Sequence, residues 1–308
     1  MQIYDIPIDR HGRELTTVGT ADFPISIYHT DLSKNILGYV NWHWHDAIQL
    51  CLVEKGAIRV TIHQQEHILH AGEGCFIHTN VLHTIHPFQD PHSTYLCINA
   101  ELPLLTGFQS SIVETKYIAP TIGSSQYSGC ILHPENPKEQ DILQSIAAIA
   151  LAEEEKSYGY EGEIMAEMAR ISHRLILCFR EQEKAPTPPH NIEDERLKIM
   201  LSYIREHYGE KLSLESIAAA AHLCTAQCCR FFKGSTGKTI GTYLTEYRIE
   251  ASIQKLRNTE LSISAIAYEC GFSSTSHYID RFKKHTGLTP LAYRKGLRRQ
   301  PAPKLKNS

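Results

Sequence analysis

The fold of the C-terminal part of the chain is decided by the stretch Ile263-Ser264-Ala265-Ile266-Ala267-Tyr268-Glu269-Cys270-Gly271-Phe272-Ser273-Ser274. Ser262, directly before it, is a residue type that caps helix N-termini, and the apolar residues that follow have helical spacing. Gly271 lies where the chain can take a left-handed backbone, and a second helical pattern starts after it. Two short helices joined by a tight turn are predicted, which is a helix-turn-helix.

The same pattern occurs a second time, earlier in the chain. Residues 212–218 match residues 261–267 at an offset of 49, whereas matching Phe-Lys, Thr-Gly and Thr residues of 232–239 and 282–289 are offset by 50. One residue is therefore inserted at the turn of the second copy. We predict two helix-turn-helix units, at about residues 213–234 and 262–285.

Charge divides the chain into two unlike parts. The 308 residues carry a net charge of −3, but residues 1–191 hold 12 basic and 23 acidic side chains, whereas residues 192–308 hold 19 and 11. The net charge of the first part is thus −11, and that of the second part is +8. A basic module attached to an acidic body is typical of a nucleic-acid-binding protein with a separate control domain. Charge alone is equally consistent with two solvated surfaces of opposite sign.

The N-terminal part shows strand patterns followed by helical ones. Short β-rich runs at 49–53, 57–62, 74–77 and 94–98 are separated by turns, which predicts an antiparallel sandwich or barrel. From about 139 to 183 the apolar period becomes helical. We therefore expect an α+β multidomain protein. Its predicted parts are a barrel (1–138), a helical segment for dimerisation or connection (139–184), a proline-rich linker (185–191) and an all-α domain (192–300).

Several protein classes are disfavoured by composition. No apolar run approaches the roughly 18 residues needed to cross a bilayer. Residues 1–5 lack the basic start of a signal peptide, so we expect a cytoplasmic protein that does not contact membranes. The nine cysteines are irregularly spaced, which favours reduced thiols over disulfides. Cys224, Cys228 and Cys229 have no fourth ligand nearby and indicate zinc only weakly.

The C-terminal part resembles the AraC/XylS family of bacterial transcription regulators. The resemblance covers about residues 197–295; beside residues 263–274, it rests on residues 278–290, on Tyr293-Arg294 and on Arg230-Phe231-Phe232-Lys233 of the first copy. It implies a protein that is not an enzyme and that binds double-stranded promoter DNA, with the second helix of each unit in a major groove. A homodimer and contact with RNA polymerase are further expectations.

Helical periodicity divides each second helix into an inward and an outward side. We expect the outward residues to face DNA: Thr225, Ala226, Cys229, Arg230 and Lys233 in the first unit, and Ser274, Thr275, Ser276, Ile279, Asp280 and Lys283 in the second. Arg230 can bind guanine O6 and N7 in bidentate fashion; the alternative is a phosphate contact or a solvated charge. At the position of Asp280 the family often has a basic residue. Two alternatives follow: Asp280 accepts a hydrogen bond from cytosine N4, or its helix contributes through shape and phosphate contacts.

The N-terminal part resembles the cupin barrel that many such regulators carry. The resemblance rests on His43-Trp44-His45, Gln49, Gly56, Gly74 and His83. It implies an effector pocket lined by His43, His45, Gln49 and His83 for a small polar, sugar-like ligand, without a cofactor. A metal held by the three histidines and simple structural packing are the alternatives; metal cupins have Glu where Gln49 stands.

Two further functions stay open at this stage. One is a metal-dependent cupin enzyme fused to a DNA-binding module, which the neutral side chain of Gln49 disfavours because it supplies no acid or base. The other is a chromosome-coating protein without sequence preference. For the predicted homodimer, the apolar stripe Ile164, Met168, Ile171 and Leu175 is a candidate seam, although a helix packed on its own barrel has the same pattern.

Overall fold

The computed structural model describes residues 6–62, 65–120, 128–182 and 192–297. The chain forms two compact units, Met1–Glu195 and Arg196–Ser308. The predicted linker at 185–191 lies outside the described residues, as do residues 298–300 of the predicted DNA-binding domain.

The first unit contains a sandwich of two antiparallel sheets. One sheet has the strand order β1-β8-β3-β6-β9 and the other the order β2-β7-β4-β5. The predicted antiparallel sandwich or barrel is therefore confirmed. The strands are β1 (Ile25–Asp31), β2 (Val40–His43), β3 (Ile48–Lys55), β4 (Ala57–Ile62), β5 (Gln65–His70), β6 (Gly74–Ile77), β7 (His83–Pro87), β8 (Thr94–Ala100) and β9 (Gly129–Leu132).

The five-stranded sheet lies between two hydrophobic cores and is buried on both faces. Successive side chains of a strand point to opposite faces, so they alternate between the two cores. In β3, Ile48 and Leu50 belong to a core shared with helices, whereas Cys51 and Val53 belong to a core between the two sheets. Gln49 is also buried, and by alternation it faces the interior between the sheets. A polar residue therefore lies between the two sheets.

Among its described residues this unit also has the α-helices α1 (Pro103–Thr106), α2 (Pro137–Glu155) and α3 (Tyr160–Gln182), with a π-helical turn at Glu114–Ile118. Ile164, Met168, Ile171 and Leu175 of α3 are fully buried in the core that α2 and the five-stranded sheet share. The prediction that this stripe is a dimer seam is wrong, because the chain's own barrel and helices cover it. The stripe stabilises the barrel instead.

The second unit is helical throughout its described residues. Its helices are α4 (Ile192–His207, which begins just before the boundary between the units), α5 (Leu214–Ala220), α6 (Thr225–Thr236), α7 (Ile240–Asn258), α8 (Ile263–Glu269), α9 (Thr275–Thr286) and α10 (Pro290–Leu297). The pairs α5–α6 and α8–α9 lie at the two predicted helix-turn-helix units. The 19 residues of α7 give it a length of about 28 Å.

Both helix-turn-helix units begin with a serine cap. Ser213 Oγ accepts a hydrogen bond from the Ser216 amide, and Ser262 Oγ accepts one from the Ala265 amide, each at 3.1 Å. The turn of the second unit has its left-handed residue at Gly271, with φ +78°, as the sequence predicts. In these two respects, local sequence chemistry accounts for the observed backbone.

Candidate effector site and DNA interface

Three histidines and a glutamine meet at one end of the sandwich. His43 ends β2 and is the cross-strand partner of His83, which begins β7. His45 lies two residues beyond β2, and Gln49 reaches the same place from β3 in the other sheet. All four residues are buried, and one ring nitrogen of each histidine lies within 4.8 Å of those of the other two. The structure thus brings together the four residues that the sequence predicts for the effector pocket.

Backbone carbonyls orient the three imidazole rings. The Nδ1 atoms of His43, His45 and His83 lie 2.8, 2.8 and 2.9 Å from the carbonyl oxygens of Asn41, Ala47 and Val81. A carbonyl oxygen can only accept, so each Nδ1 carries the proton and donates it. The Nε2 atoms are therefore the ones that face the interior of the cluster.

Gln49 lies between two of these rings. Its Oε1 is 3.0 Å from His45 Nε2 and 3.2 Å from His83 Nε2, and its Nε2 is 3.0 Å from Cys51 Sγ. Burial, together with the rings of His43 and His45, lowers the pKa of His83 well below its usual range. The His83 ring is consequently neutral at pH 7.

Glu14 belongs to the same site, although no pattern in the sequence indicates it. Its side chain is 3% exposed, and its Oε2 lies 3.8 Å from His43 Nε2. Burial raises the pKa of Glu14 above its ordinary value, and the nearby His45 opposes that rise. The carboxylate comes from an irregular segment 29 residues before His43, and no periodicity or motif in that segment indicates a contact with the histidines.

Backbone hydrogen bonds hold the segment that carries Glu14 against the chain that follows β2. The Glu14 amide donates to the Trp44 carbonyl at 2.8 Å, and the Trp44 amide donates to the Gly12 carbonyl at 3.0 Å. An ion pair between Arg13 and Asp46 adds a side-chain link. The position of Glu14 beside the histidines is therefore set by a paired backbone.

The free space at the site is small. A cavity of about 20 Å³ lies beside it, lined among others by Glu14, Tyr28, His43, Gln49 and Asn99. A space of this size holds one water molecule or one ion. His86 stacks on Tyr39 with ring centroids 4.2 Å apart, and His78 packs edge-on to Phe76 at 6.2 Å; these two contacts lie outside the cluster.

Helix α6 presents the first predicted DNA-facing surface. Ala226, Arg230 and Lys233 are exposed, and Thr225 and Cys229 are half-buried. On the opposite side, Cys228 and Phe232 are fully buried. Gln227 is also exposed on α6, although the sequence prediction did not include it.

Helix α9 presents the second surface. Ser276, Asp280 and Lys283 are exposed, whereas Thr275 and Ile279 are half-buried. Exposed residues outside the prediction are His277 and Arg281, which are linked by a 3.2 Å hydrogen bond between Arg281 Nε and His277 Nε2.

Ser274 has a structural task at the start of α9. It is the N-cap of the helix, and its Oγ accepts a 3.2 Å hydrogen bond from the His277 amide. The hydroxyl proton can still be donated to a phosphate.

Three further observations concern the cysteines, membrane spans and potential metal ligands. The nine cysteines are all free thiols. In the portion of the chain that the structure covers, no helix combines the length and the apolar character needed to span a bilayer. Of these same residues, only His43, His45 and His83 form a group of three or more potential metal ligands; Cys224, Cys228 and Cys229 do not.

Comparison with known proteins agrees with this architecture. Residues 33–171 match a family model described as the AraC-like ligand binding domain, and residues 217–296 match one described as a helix-turn-helix domain. The chain is 32% identical over 288 residues to the uncharacterized HTH-type transcriptional regulator YdeC of Bacillus subtilis, covering 94% of this chain and 97% of that one. It is 24% identical to the HTH-type transcriptional activator RhaS of an Enterobacter species, with 82% and 87% covered.

A solved structure of the DNA-binding domain of AdpA in complex with a target DNA is also similar. It is 28% identical, it covers 35% of this chain and 98% of that domain, and its TM-score is 0.34.

The sandwich with its buried polar cluster and the paired helix-turn-helix units define a transcriptional regulator with a ligand-binding domain and a DNA-binding domain. The chain belongs to the AraC family of transcriptional regulators, since its likeness to YdeC extends over nearly the whole length of both proteins.

Proposed function

We propose that this protein binds promoter DNA sequence-specifically through α6 and α9, and that a small effector bound at His43, His45, Gln49 and His83 controls this binding. The observation that carries the proposal is the convergence of four buried polar side chains inside the sandwich. Burying polar groups costs free energy that an apolar core does not incur, so a cluster of this kind is maintained for a ligand.

The surfaces of α6 and α9 support specific rather than general DNA binding. Each presents side chains that can hydrogen-bond to base edges, Arg230 and Gln227 in α6 and Ser276 and His277 in α9. Lys233 and Lys283 are suited to phosphate contacts. Since the relative RhaS is named an activator, we propose activation of transcription, with contact to RNA polymerase and a homodimer as parts of the same proposal.

The hydrogen-bonding groups of the site suit the predicted sugar-like effector, but the volume of the cavity does not. Imidazole and amide groups hydrogen-bond hydroxyls well. The cavity of about 20 Å³ beside His43 and Gln49, however, has no room for a sugar. Sugar binding at these residues would require the sandwich to open.

The test uses the full-length chain and has two parts. A binding site is first selected from a random DNA pool, and the affinity for it is compared with that for scrambled DNA at one stated salt concentration. We expect at least 1,000-fold preference for the selected site, the lower end of what specific DNA-binding proteins show. Equal affinity for both DNAs would contradict sequence-specific binding.

The second part concerns control by the effector. In a reporter strain that carries the selected site, His83→Ala is expected to abolish the response to growth conditions, while the affinity of the purified variant for DNA stays unchanged. His70→Ala, which changes an exposed histidine of β5, is the matched control. A normal response in His83→Ala would place effector binding elsewhere, for example in the groove of about 810 Å³ lined by Leu104, Tyr117 and Arg180.

A further inference from the structure

The first unit has a groove between α1, the π-helical turn and α3, away from the histidine cluster. Its volume is about 810 Å³, and its apolar lining includes Leu104, Val113, Met165, Ala169, Ile176 and Leu177. On α3 the lining residues extend from Met165 to Arg180 at helical spacing, a length of about 22 Å. Ligand pockets have volumes of about 300 to 1,000 Å³ and mostly apolar walls. The groove therefore has the size and lining of a site for an elongated, largely apolar molecule.

Hydrogen bonds from buried side chains fix the walls of the groove. Ser172 of α3 donates to the Leu105 carbonyl of α1 at 2.6 Å. Ser111, between α1 and the π-helical turn, donates to the Thr106 carbonyl at 2.7 Å, and Thr115 of the turn donates to the Ser111 carbonyl at 2.9 Å. The three elements are thus tied to one another, and the groove is formed without a ligand.

Basic side chains line the groove, and acidic ones do not. Lys116, His173 and Arg180 are exposed lining residues, and among the described residues of the lining none is Asp or Glu. This runs against the composition of residues 1–191, where 23 acidic side chains outnumber 12 basic ones. A second groove of the same unit, of about 1150 Å³, has the opposite character: its described lining has no Lys or Arg and includes Asp22, Glu153, Glu154 and Glu161. The positive charge is therefore a property of the α1–α3 groove alone among these two.

The arginine at the end of the groove differs from the other arginines of its helix. Of the described arginines of α3, Arg170 and Arg174 form ion pairs with carboxylates, whereas Arg180 forms none. A guanidinium binds a carboxylate through two parallel hydrogen bonds. Arg180 is thus placed to bind an anionic group at one end of an apolar groove.

We propose that this groove binds an organic anion with an aliphatic tail, a monocarboxylate of the fatty-acid type. The tail lies along α3 from Met165 towards Arg180, whose guanidinium binds the carboxylate, and Lys116 and His173 add donors and positive potential. Tyr117 is the one aromatic side chain of the described lining, so the walls suit a flexible aliphatic chain better than a flat ring. This site is separate from His43, His45, Gln49 and His83, and the inference does not rest on the proposed function.

The test titrates the full-length chain with sodium decanoate, below its micelle-forming concentration and at constant ionic strength, and follows the heat of binding. We expect one decanoate per chain. Decanol has the same tail without the charge and is expected to bind at least ten-fold more weakly, because it cannot form the charge-assisted pair with Arg180. Acetate has the carboxylate without the tail and is expected not to bind measurably. Equal affinities for decanol and decanoate would overturn the proposed anion site.

A filling substitution tests whether the groove itself is the site. Ala169→Trp puts a large side chain into the groove and is expected to abolish decanoate binding. Ala166→Trp is the matched control, since Ala166 is also exposed on α3 but does not line the groove. Both positions are exposed, so we expect unchanged circular dichroism spectra. Decanoate binding that Ala169→Trp leaves intact would place the ligand elsewhere and overturn the proposal.

A second pair of variants tests the charge. Arg180→Gln is expected to weaken decanoate binding about ten-fold or more, the scale of a lost charge-assisted hydrogen bond, and to leave decanol binding unchanged. Arg170→Gln, on the same helix but outside the groove, is expected to change neither. Equal weakening of decanoate and decanol in Arg180→Gln would show that Arg180 shapes the groove rather than binding the carboxylate, and would contradict its proposed role.

A second copy of the chain is the competing occupant of the groove. Light scattering of the full-length chain and of Ala169→Trp, at the same concentration, separates the two. If the groove is an interface between copies, the unchanged chain is dimeric and binds no decanoate, and Ala169→Trp is monomeric. That result would overturn the ligand site. Decanoate binding with the same molecular mass in both chains supports it.

Discussion

Helices α6 and α9 occupy the same place in the two helix-turn-helix units and have the same length, 12 residues. A buried phenylalanine of each helix packs against a tyrosine of the helix that follows it: Phe232 on Tyr243 and Phe282 on Tyr293. The ring centroids are 5.5 Å apart in both cases. The repeat thus extends to side-chain geometry in the core. Buried positions keep the repeat because close packing tolerates few shapes there.

The two units differ at the turn, at the N-cap of the second helix and on the exposed face of that helix. The left-handed turn residue is His222 in the first and Gly271 in the second, and the N-cap is Cys224 in the first and Ser274 in the second. At one exposed position the first has Arg230 and the second Asp280. The shared backbone therefore carries two differently built turns and two different exposed helix surfaces.

The largest expected difference between the units is at the turn. Gly271→Ala is expected to destabilise the helical unit by about 3 kcal/mol, because a Cβ would lie 2.4 Å from the Tyr208 carbonyl and 2.7 Å from Arg248 Nη2, at φ +78°. Arg248 has little freedom to move away, since it donates to the carbonyls of Tyr208 and Glu210, each at 2.8 Å. Denaturant unfolding followed by circular dichroism measures the loss.

The matched control for this prediction is His222→Ala, at the equivalent turn position. His222 already has a side chain at φ +55° and is exposed, so we expect a change below about 1 kcal/mol. Both tryptophans, Trp42 and Trp44, are in the barrel, so tryptophan fluorescence should show an unchanged barrel transition in both variants. An equal decrease in the free energy of unfolding in the two variants would mean that the two turns are equivalent.

The next difference concerns the exposed position. Arg230→Ala is expected to reduce affinity for the selected DNA by about 1 to 3 kcal/mol and to relax preference at one base pair, because it would remove the proposed bidentate contact with guanine. Affinities for the selected site, for its single-base variants and for random DNA, at one salt concentration, measure this effect. An equal loss of affinity for every DNA sequence would indicate that Arg230 contacts phosphate rather than a base.

Asp280→Ala is the matched substitution in the second unit. Asp280 has the wrong charge for phosphate, so its removal is expected to leave affinity for random DNA equal or slightly higher. A large uniform loss would instead assign Asp280 to the stability of α9.

The smallest expected difference is at the N-caps. A thiol is a weaker acceptor than a hydroxyl, so Cys224→Ser is expected to stabilise the helical unit by about 0.5 to 1 kcal/mol. Ser274→Cys should lower stability by a similar amount, since Ser274 Oγ accepts from the His277 amide. Thermal unfolding followed at 222 nm measures both, with Cys229→Ser inside α6 as the control. Loss of stability in Cys224→Ser would show that the thiol has another role there.

The barrel site shows how far sequence analysis extends into a tertiary arrangement. His43, His45, Gln49 and His83 were predicted together from a resemblance, and the structure brings them within hydrogen-bonding range or close to it. Glu14 was not predicted because its place depends on backbone pairing with the residues around Trp44, which leaves no trace in local periodicity.

The stripe on α3 shows the opposite case. Ile164, Met168, Ile171 and Leu175 form an apolar face in any helix of this sequence, and the pattern is the same whether the cover is a second copy or the chain itself. Only the fold decides that the five-stranded sheet and α2 cover it.

The sequence by itself determined the elements whose cause is local: the serine caps, the left-handed glycine, the repeat of two helix pairs, the strand runs and the division of charge. Tertiary structure alone decided which buried face covers which, that Glu14 joins the histidines, and that the space beside them has the size of an ion. Caps and turns are fixed by residues a few positions apart, whereas the site depends on contacts between segments far apart in the chain, such as His43 and His83 or Glu14 and Trp44.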